Sequence, residues 1–233
     1  MIDARLQLAL DGGGLELPAE GTIAVFQPPR DSDLPGLDKD RVQIIHDFKP
    51  DYDAWAGRGY DVVRTIKDRY AACIVCLPRA KAEARAVIAA ACEVCDGIVV
   101  IDGQKTDGAD SVLREMRDRV TVQGPISKAH GKMFWISEPA AEFFSDWRQG
   151  PELTEGGFWT APGVFSADGV DLASALLVDA LPEKLGSEVA DLGAGWGFLS
   201  AHALTRPDIK NLYLVEAGHM ALECARRNVT DDR

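Results

Sequence analysis

The residues that offer chemistry most openly are Asp191, Gly193, Gly195 and Gly197, spaced D-x-G-x-G-x-G in the stretch VADLGAGWGFLS. The apolar residues before them read as a buried strand and those after as a helix start, so the glycines form the bend between. Glycine lets the backbone approach a ligand closely, and a helix start offers N–H groups without intrahelical partners. The dinucleotide fingerprint G-x-G-x-x-G is not met, because Phe198 stands where its third glycine should fall. Glu216 ends the next apolar segment, NLYLVEA. An acidic side chain at the tip of a second strand accepts hydrogen bonds from ribose hydroxyls. Asp191, read as part of the loop, would disfavour a pyrophosphate and favour a cationic or hydroxyl-bearing ligand. S-adenosylmethionine has that character, with a sulfonium, an amino group and a ribose but no phosphate. The same turn occurs in α/β proteins that hold no cofactor, and Glu216 is what tips the reading toward a pocket.

Other candidates carry less. His46, His130, His202 and His219 have no visible nucleophile or metal-spaced partner, and no Ser–His–Asp or Cys–His arrangement can be argued. Cys73-x2-Cys76 and Cys92-x2-Cys95 formally fit a four-cysteine zinc spacing. On the strand that YAACIVCLP predicts, however, Cys73 and Cys76 point to opposite faces, and Cys92 and Cys95 fall in an alanine-rich helix as small core residues. No metal is expected. Lys128, His130 and Lys132 alternate in PISKAHGKMFW, and Lys128 and Lys132 are the candidate RNA contacts beside the plainer reading of a solvated strand. A net charge of −12 excludes the whole chain as a nonspecific nucleic-acid binder but leaves room for a local basic patch.

The elements that must position these residues alternate between strand and helix. Strands are predicted at 22–26, 41–48, 60–66, 72–77 and 97–103, with helices at 79–95 and 107–119, the latter capped by Asp107 or Asp110. Strands at 120–124 and 132–137 follow. The alternation argues for α/β layers around a largely parallel sheet. Gly, Pro and acidic residues dominate 148–170, with Phe158, Trp159 and Phe165 embedded. A first domain is therefore expected over 1–149, an ordered connector over 150–170 and a second domain from 171 to 233. In the last, helices at 171–185, 196–205 and 218–229 alternate with strands at 188–192 and 210–216. No apolar run approaches the roughly 20 residues that span a bilayer, and the amino terminus lacks a secretory pattern. A cytoplasmic protein is expected.

The stretches TAPGVFSADGVDLASALLVDALP, VADLGAGWGFLS and LYLVEAGHMALECARRNV resemble the RsmC-like family of small-subunit ribosomal RNA guanine-N2 methyltransferases. The segment Pro162 to Ser166 is the most family-specific of them; the glycine motif marks only the wider methyltransferase class. The resemblance implies a degenerate, Rossmann-like methyltransferase domain without a cofactor site, followed by a catalytic class I domain that binds S-adenosylmethionine. It implies cofactor contacts at Asp191, Gly193, Gly195, Gly197 and Glu216, with Phe165 or Ser166 covering the site. It also implies ribosomal RNA or the small ribosomal subunit as partner, and a monomer. The family holds its target amine with an Asn-Pro-Pro-Phe segment beyond the fourth catalytic-domain strand. No such segment is present in this sequence, so no catalytic residue is named, and the expectation is half a cofactor site within a longer protein, with weak or absent binding by this chain alone. A noncatalytic RNA- or protein-binding module with a vestigial pocket is the alternative. A nicotinamide-dependent oxidoreductase is disfavoured by Phe198.

Overall fold

The computed structural model describes residues 2–139 and 141–233. They divide into two compact units that meet at Gln149 and Gly150.

The first unit is wound around one seven-stranded sheet of order β3-β2-β1-β4-β5-β7-β6. Its strands are β1 (Ile23–Phe26), β2 (Val42–Ile45), β3 (Asp61–Val63), β4 (Tyr70–Cys76), β5 (Cys95–Gln104), β6 (Gln123–Lys128) and β7 (Gly131–Ile136). All pairings are parallel except those of β7, which runs against both β5 and β6. Helices α1 (Ile2–Leu10), α2 (Lys49–Gly57), α3 (Lys81–Val94) and α4 (Ala109–Arg117) accompany it. Near-continuous apolar runs such as YAACIVC suit strands covered on both faces. Along β4, Ala72, Ile74 and Cys76 join a core with Ile2, Leu6 and Trp55 of α1 and α2. Cys73 and Val75 join the other core with Ile88 and Cys92 of α3 and Met116 of α4. The order, parallel but for the reversed strand near one edge, is that of a Rossmann-like α/β sheet.

Several expectations shift. The strand foreseen at 41–48 stops at Ile45, because Pro50 at the start of α2 pre-sets a helical φ and the chain turns there. The strand at 60–66 shrinks to Asp61–Val63, and that at 120–124 starts only at Gln123. Neither Asp107 nor Asp110 caps α4. Its N-cap is Gly108 with φ 82°, and Asp107 instead accepts from Gln104 N–H to close the preceding 3-10 turn. Cys95 begins β5 rather than ending a helix.

The second unit opens with a short hairpin, β8 (Glu152–Leu153) and β9 (Trp159–Thr160), followed by α5 (Leu172–Ala180). Then come β10 (Glu188–Leu192), α6 (Phe198–Ala203), β11 (Asn211–Val215) and α7 (His219–Asn228). β10 and β11 pair in parallel as a two-stranded sheet. Helix α5 ends well short of 185, because Leu181 is held extended before Pro182. The hairpin belongs to this unit: Asn228 of α7 accepts from Trp159 N–H and donates to Trp159 C=O.

Candidate cofactor site

The glycine turn is tied to the neighbouring strand by its own backbone. Gly193 and Ala194 N–H donate to Val215 C=O at 2.8 and 3.1 Å, pulling the turn across the end of β11. Glu216, the next residue, clamps both turns: Oε2 accepts from Gly195 N–H and Oε1 from Gly218 N–H, each at 2.8 Å. A carboxylate oxygen has two lone pairs, so each keeps capacity for a further donor. Gly193, Gly195 and Gly197 adopt φ of 79°, 55° and 86°, the left-handed region that penalises a Cβ.

Their surroundings separate them. A Cβ at Gly193 or Gly195 would meet nothing within 4 Å. One at Gly197 would lie 2.9 Å from Val229 Cγ2 and 3.4 Å from Ala225 Cα. Gly197 therefore lets α6 pack on α7, while the other two leave open space in front of the turn. Asp191 is not in the loop: it lies within β10, and its Oδ2 accepts from the fully buried Ser200 Oγ at 2.7 Å.

In front of Gly193 and Gly195 lies a cavity of about 70 Å³, bounded across from them by Phe165, Ser166, Asp171 and Ser174. Trp196, Phe198 and Leu199 complete its apolar side. Asp191, Gly197 and Glu216 do not line it. The lining contains one carboxylate, that of Asp171, and neither lysine nor arginine. Asp171 caps α5 by accepting from Ser174 N–H at 2.8 Å. The segment carrying Phe165 and Ser166 is held by Trp196, whose Nε1 donates to Phe165 C=O at 2.9 Å. Ser166 has φ 53°. Asn228 secures the far side by donating to Trp196 C=O at 2.7 Å. Sequence reasoning missed Asp171, Trp196 and Asn228, since only spacing within one strand-turn-helix segment was available to it.

The first unit repeats this connection with different residues. Gln27 N–H donates to Ile45 C=O at 2.9 Å, as Gly193 does to Val215, and Gln27 has φ 54°. Pro28 and Pro29 then stand where the second unit has Ala194 and Gly195, and proline has no N–H to offer. His46 stands in the place of Glu216, its Nδ1 accepting from Phe48 N–H at 3.2 Å. Burial pushes the His46 pKa down despite nearby Asp51. The buried Trp55 donates Nε1 to Pro28 C=O at 2.9 Å.

The remaining candidates are placed as follows. Lys128 ends β6 and Lys132 lies on β7, with His130 in the turn between. His202 stacks edge-on against Phe198 at 4.5 Å between ring centroids, and His219 begins α7. Among the described residues no group of three His, Cys, Asp or Glu could hold a metal ion, and no helix is long and apolar enough to cross a membrane.

Residues 155–233 match the family model of the methyltransferase small domain. The ribosomal RNA small subunit methyltransferase C of Aeromonas hydrophila is 29% identical over 172 residues, which cover 69% of this chain and 50% of that protein. Its counterpart in Vibrio parahaemolyticus is 31% identical over 163 residues, covering 63% of this chain and 47% of that protein. The chain thus spans about half the length of the curated relatives it matches. Among solved structures, the T. thermophilus 16S rRNA N2 methyltransferase RsmC, in complex with AdoMet and guanosine, superposes with a TM-score of 0.74. That match covers 98% of this chain and 66% of the other at 20% sequence identity, a likeness of fold. Residues 155–233 accordingly match a methyltransferase small domain, and the chain is similar in sequence to part of the RsmC proteins and in fold to the T. thermophilus enzyme.

Proposed function

We propose that this chain serves S-adenosylmethionine-dependent methyl transfer to the N2 amine of a guanine in 16S ribosomal RNA. Residues 150–233 supply one wall of the cofactor site, and residues 1–149 form a methyltransferase-like body that holds no cofactor. The observation that carries this is the open space before Gly193 and Gly195, next to a carboxylate clamp and a lining without basic side chains. Such a lining suits a sulfonium and an ammonium and would not neutralise a pyrophosphate. When bound, S-adenosylmethionine supplies an electrophilic methyl group. The chain's own residues would hold it: Gly193 and Gly195 would admit its close approach, Glu216 beside the cavity would have lone pairs left for ribose hydroxyls, and Asp171 would suit its cationic groups. The buried Trp196 would limit water on its side of the cavity. In the first unit, Pro28 and Pro29 remove the N–H donors that such a cradle uses. The catalytic effect that this part of the protein contributes is orientation of the reacting groups.

A noncatalytic RNA-binding module is the second reading, favoured by the cavity of about 70 Å³, small beside the roughly 300–1,000 Å³ of small-molecule sites. Nucleoside mass spectrometry of 16S ribosomal RNA from cells lacking the gene separates the two. Loss of an N2-methylguanosine, restored by the wild-type gene and not by a Glu216→Ala version, is expected. An unchanged modification profile would overturn the methyltransferase reading.

A further inference from the structure

The first unit carries a cavity of opposite chemistry. About 320 Å³ in volume, it lies between the β6–β7 hairpin tip and the start of α4. Lys105, Lys128 and Lys132 line it with His130, against the single carboxylate of Asp110. On a chain of net charge −12 this is a local reversal of sign. Lys132 pairs with Asp110 and holds that carboxyl below its ordinary range. Lys105 and Lys128 reach the same cavity and are exposed. Ala109, the first residue of α4, also lines it, so the partial positive charge of the helix start adds to the lysines. No phenylalanine, tyrosine or tryptophan borders the cavity, and beside the imidazole of His130 its polar lining is dominated by the three lysines.

The hairpin tip is held in place rather than left to fluctuate. Ala129 and His130 both adopt left-handed φ, 49° and 58°, in a two-residue turn where Asn-Gly is preferred. The buried Arg5 donates Nη1 to Lys128 C=O at 2.9 Å while its Nε and Nη2 bind Asp102. Lys105 N–H donates to His130 C=O at 2.9 Å, fixing the third lysine to the same turn. A Cβ at Gly131 would lie 2.4 Å from Arg5 Nη1, so only glycine allows this arrangement.

We propose that this cleft seats a phosphodiester group of the RNA backbone, docking the substrate on the first unit by charge and not by base identity. The proposal rests on the RNA reading above, and its test is separable from that reading. Fluorescence anisotropy of the whole chain against a labelled RNA hairpin, repeated across salt concentrations, measures it. The double variant Lys105→Gln/Lys128→Gln is expected to bind about tenfold more weakly, with a log-affinity against log-salt slope reduced by about 2. Lys105→Arg/Lys128→Arg keeps the charge and should bind like the wild type, as should the remote Lys67→Gln. An unchanged affinity and slope in the Gln variant would overturn the cleft, as would equal loss in the Arg variant. Failure of the wild-type chain to bind at low salt would overturn it too, because the cleft lies wholly within the first unit. The nucleoside analysis then judges the methyltransferase reading independently.

Discussion

Gly193 and Gly197 are the same residue type kept for opposite reasons. Both have left-handed φ, but only Gly197 faces a neighbour that a Cβ would strike. Alanine in the left-handed region costs about 1–2 kcal/mol. At Gly197 the crowding against Val229 and Ala225 adds about 1–3 kcal/mol. Hydrogen exchange of α7 amides should accelerate strongly in Gly197→Ala and only slightly in Gly193→Ala. Equal acceleration in the two would contradict the division of roles. Asp191 has a comparable surprise: its carboxylate is taken by Ser200 inside the second unit, so it shapes the turn from behind. The sequence could place an acid beside the glycines, but the buried hydroxyl nine residues on is a tertiary partner that spacing does not reveal.

The first sheet depends on an ion pair linking elements far apart in sequence. Arg5 of α1 meets Asp102 of β5 in a bidentate pair, Nε to Oδ1 at 2.5 Å and Nη2 to Oδ2 at 2.8 Å, with both side chains buried. Removing one partner of such a pair typically costs about 3–5 kcal/mol, because the other charge is left buried and unpaired. Asp102→Ala should therefore lower the denaturant stability of the first unit by that amount. Arg5→Met/Asp102→Leu, which removes both charges, should recover much of it. A double variant no better than the single one would show that lost packing dominates instead. The long apolar strands β4 and β5 and the alanine-rich α3 were legible from composition and periodicity. Helices α1 and α2 were not: each is nine residues long, and α2 draws its only fully buried residue, Trp55, from an otherwise polar segment.

At the scale of the molecule, one plan is used twice with different chemistry. In both units the residue after a strand donates its N–H to the end of the next parallel strand. Gln27, Pro28 and Pro29 form that turn in the first unit, where two prolines offer no N–H, whereas Gly193, Ala194 and Gly195 form it in the second. The glycine turn and Glu216 were legible because that motif is contiguous or set by one strand-helix-strand spacing. The equivalence of His46 with Glu216 was not, since neither residue type nor local spacing carries it. The two cavities divide in the same manner, three lysines lining one and a lone carboxylate marking the other. The central claim is that the second turn cradles the methyl donor, and backbone amide NMR during titration with S-adenosylmethionine up to millimolar concentration tests it most directly. Shift changes confined to Phe165, Ser166, Asp171, Gly193 to Trp196 and Glu216 to Gly218 are predicted. Absence of any change, or changes at the ends of β1 and β4 instead, would contradict it.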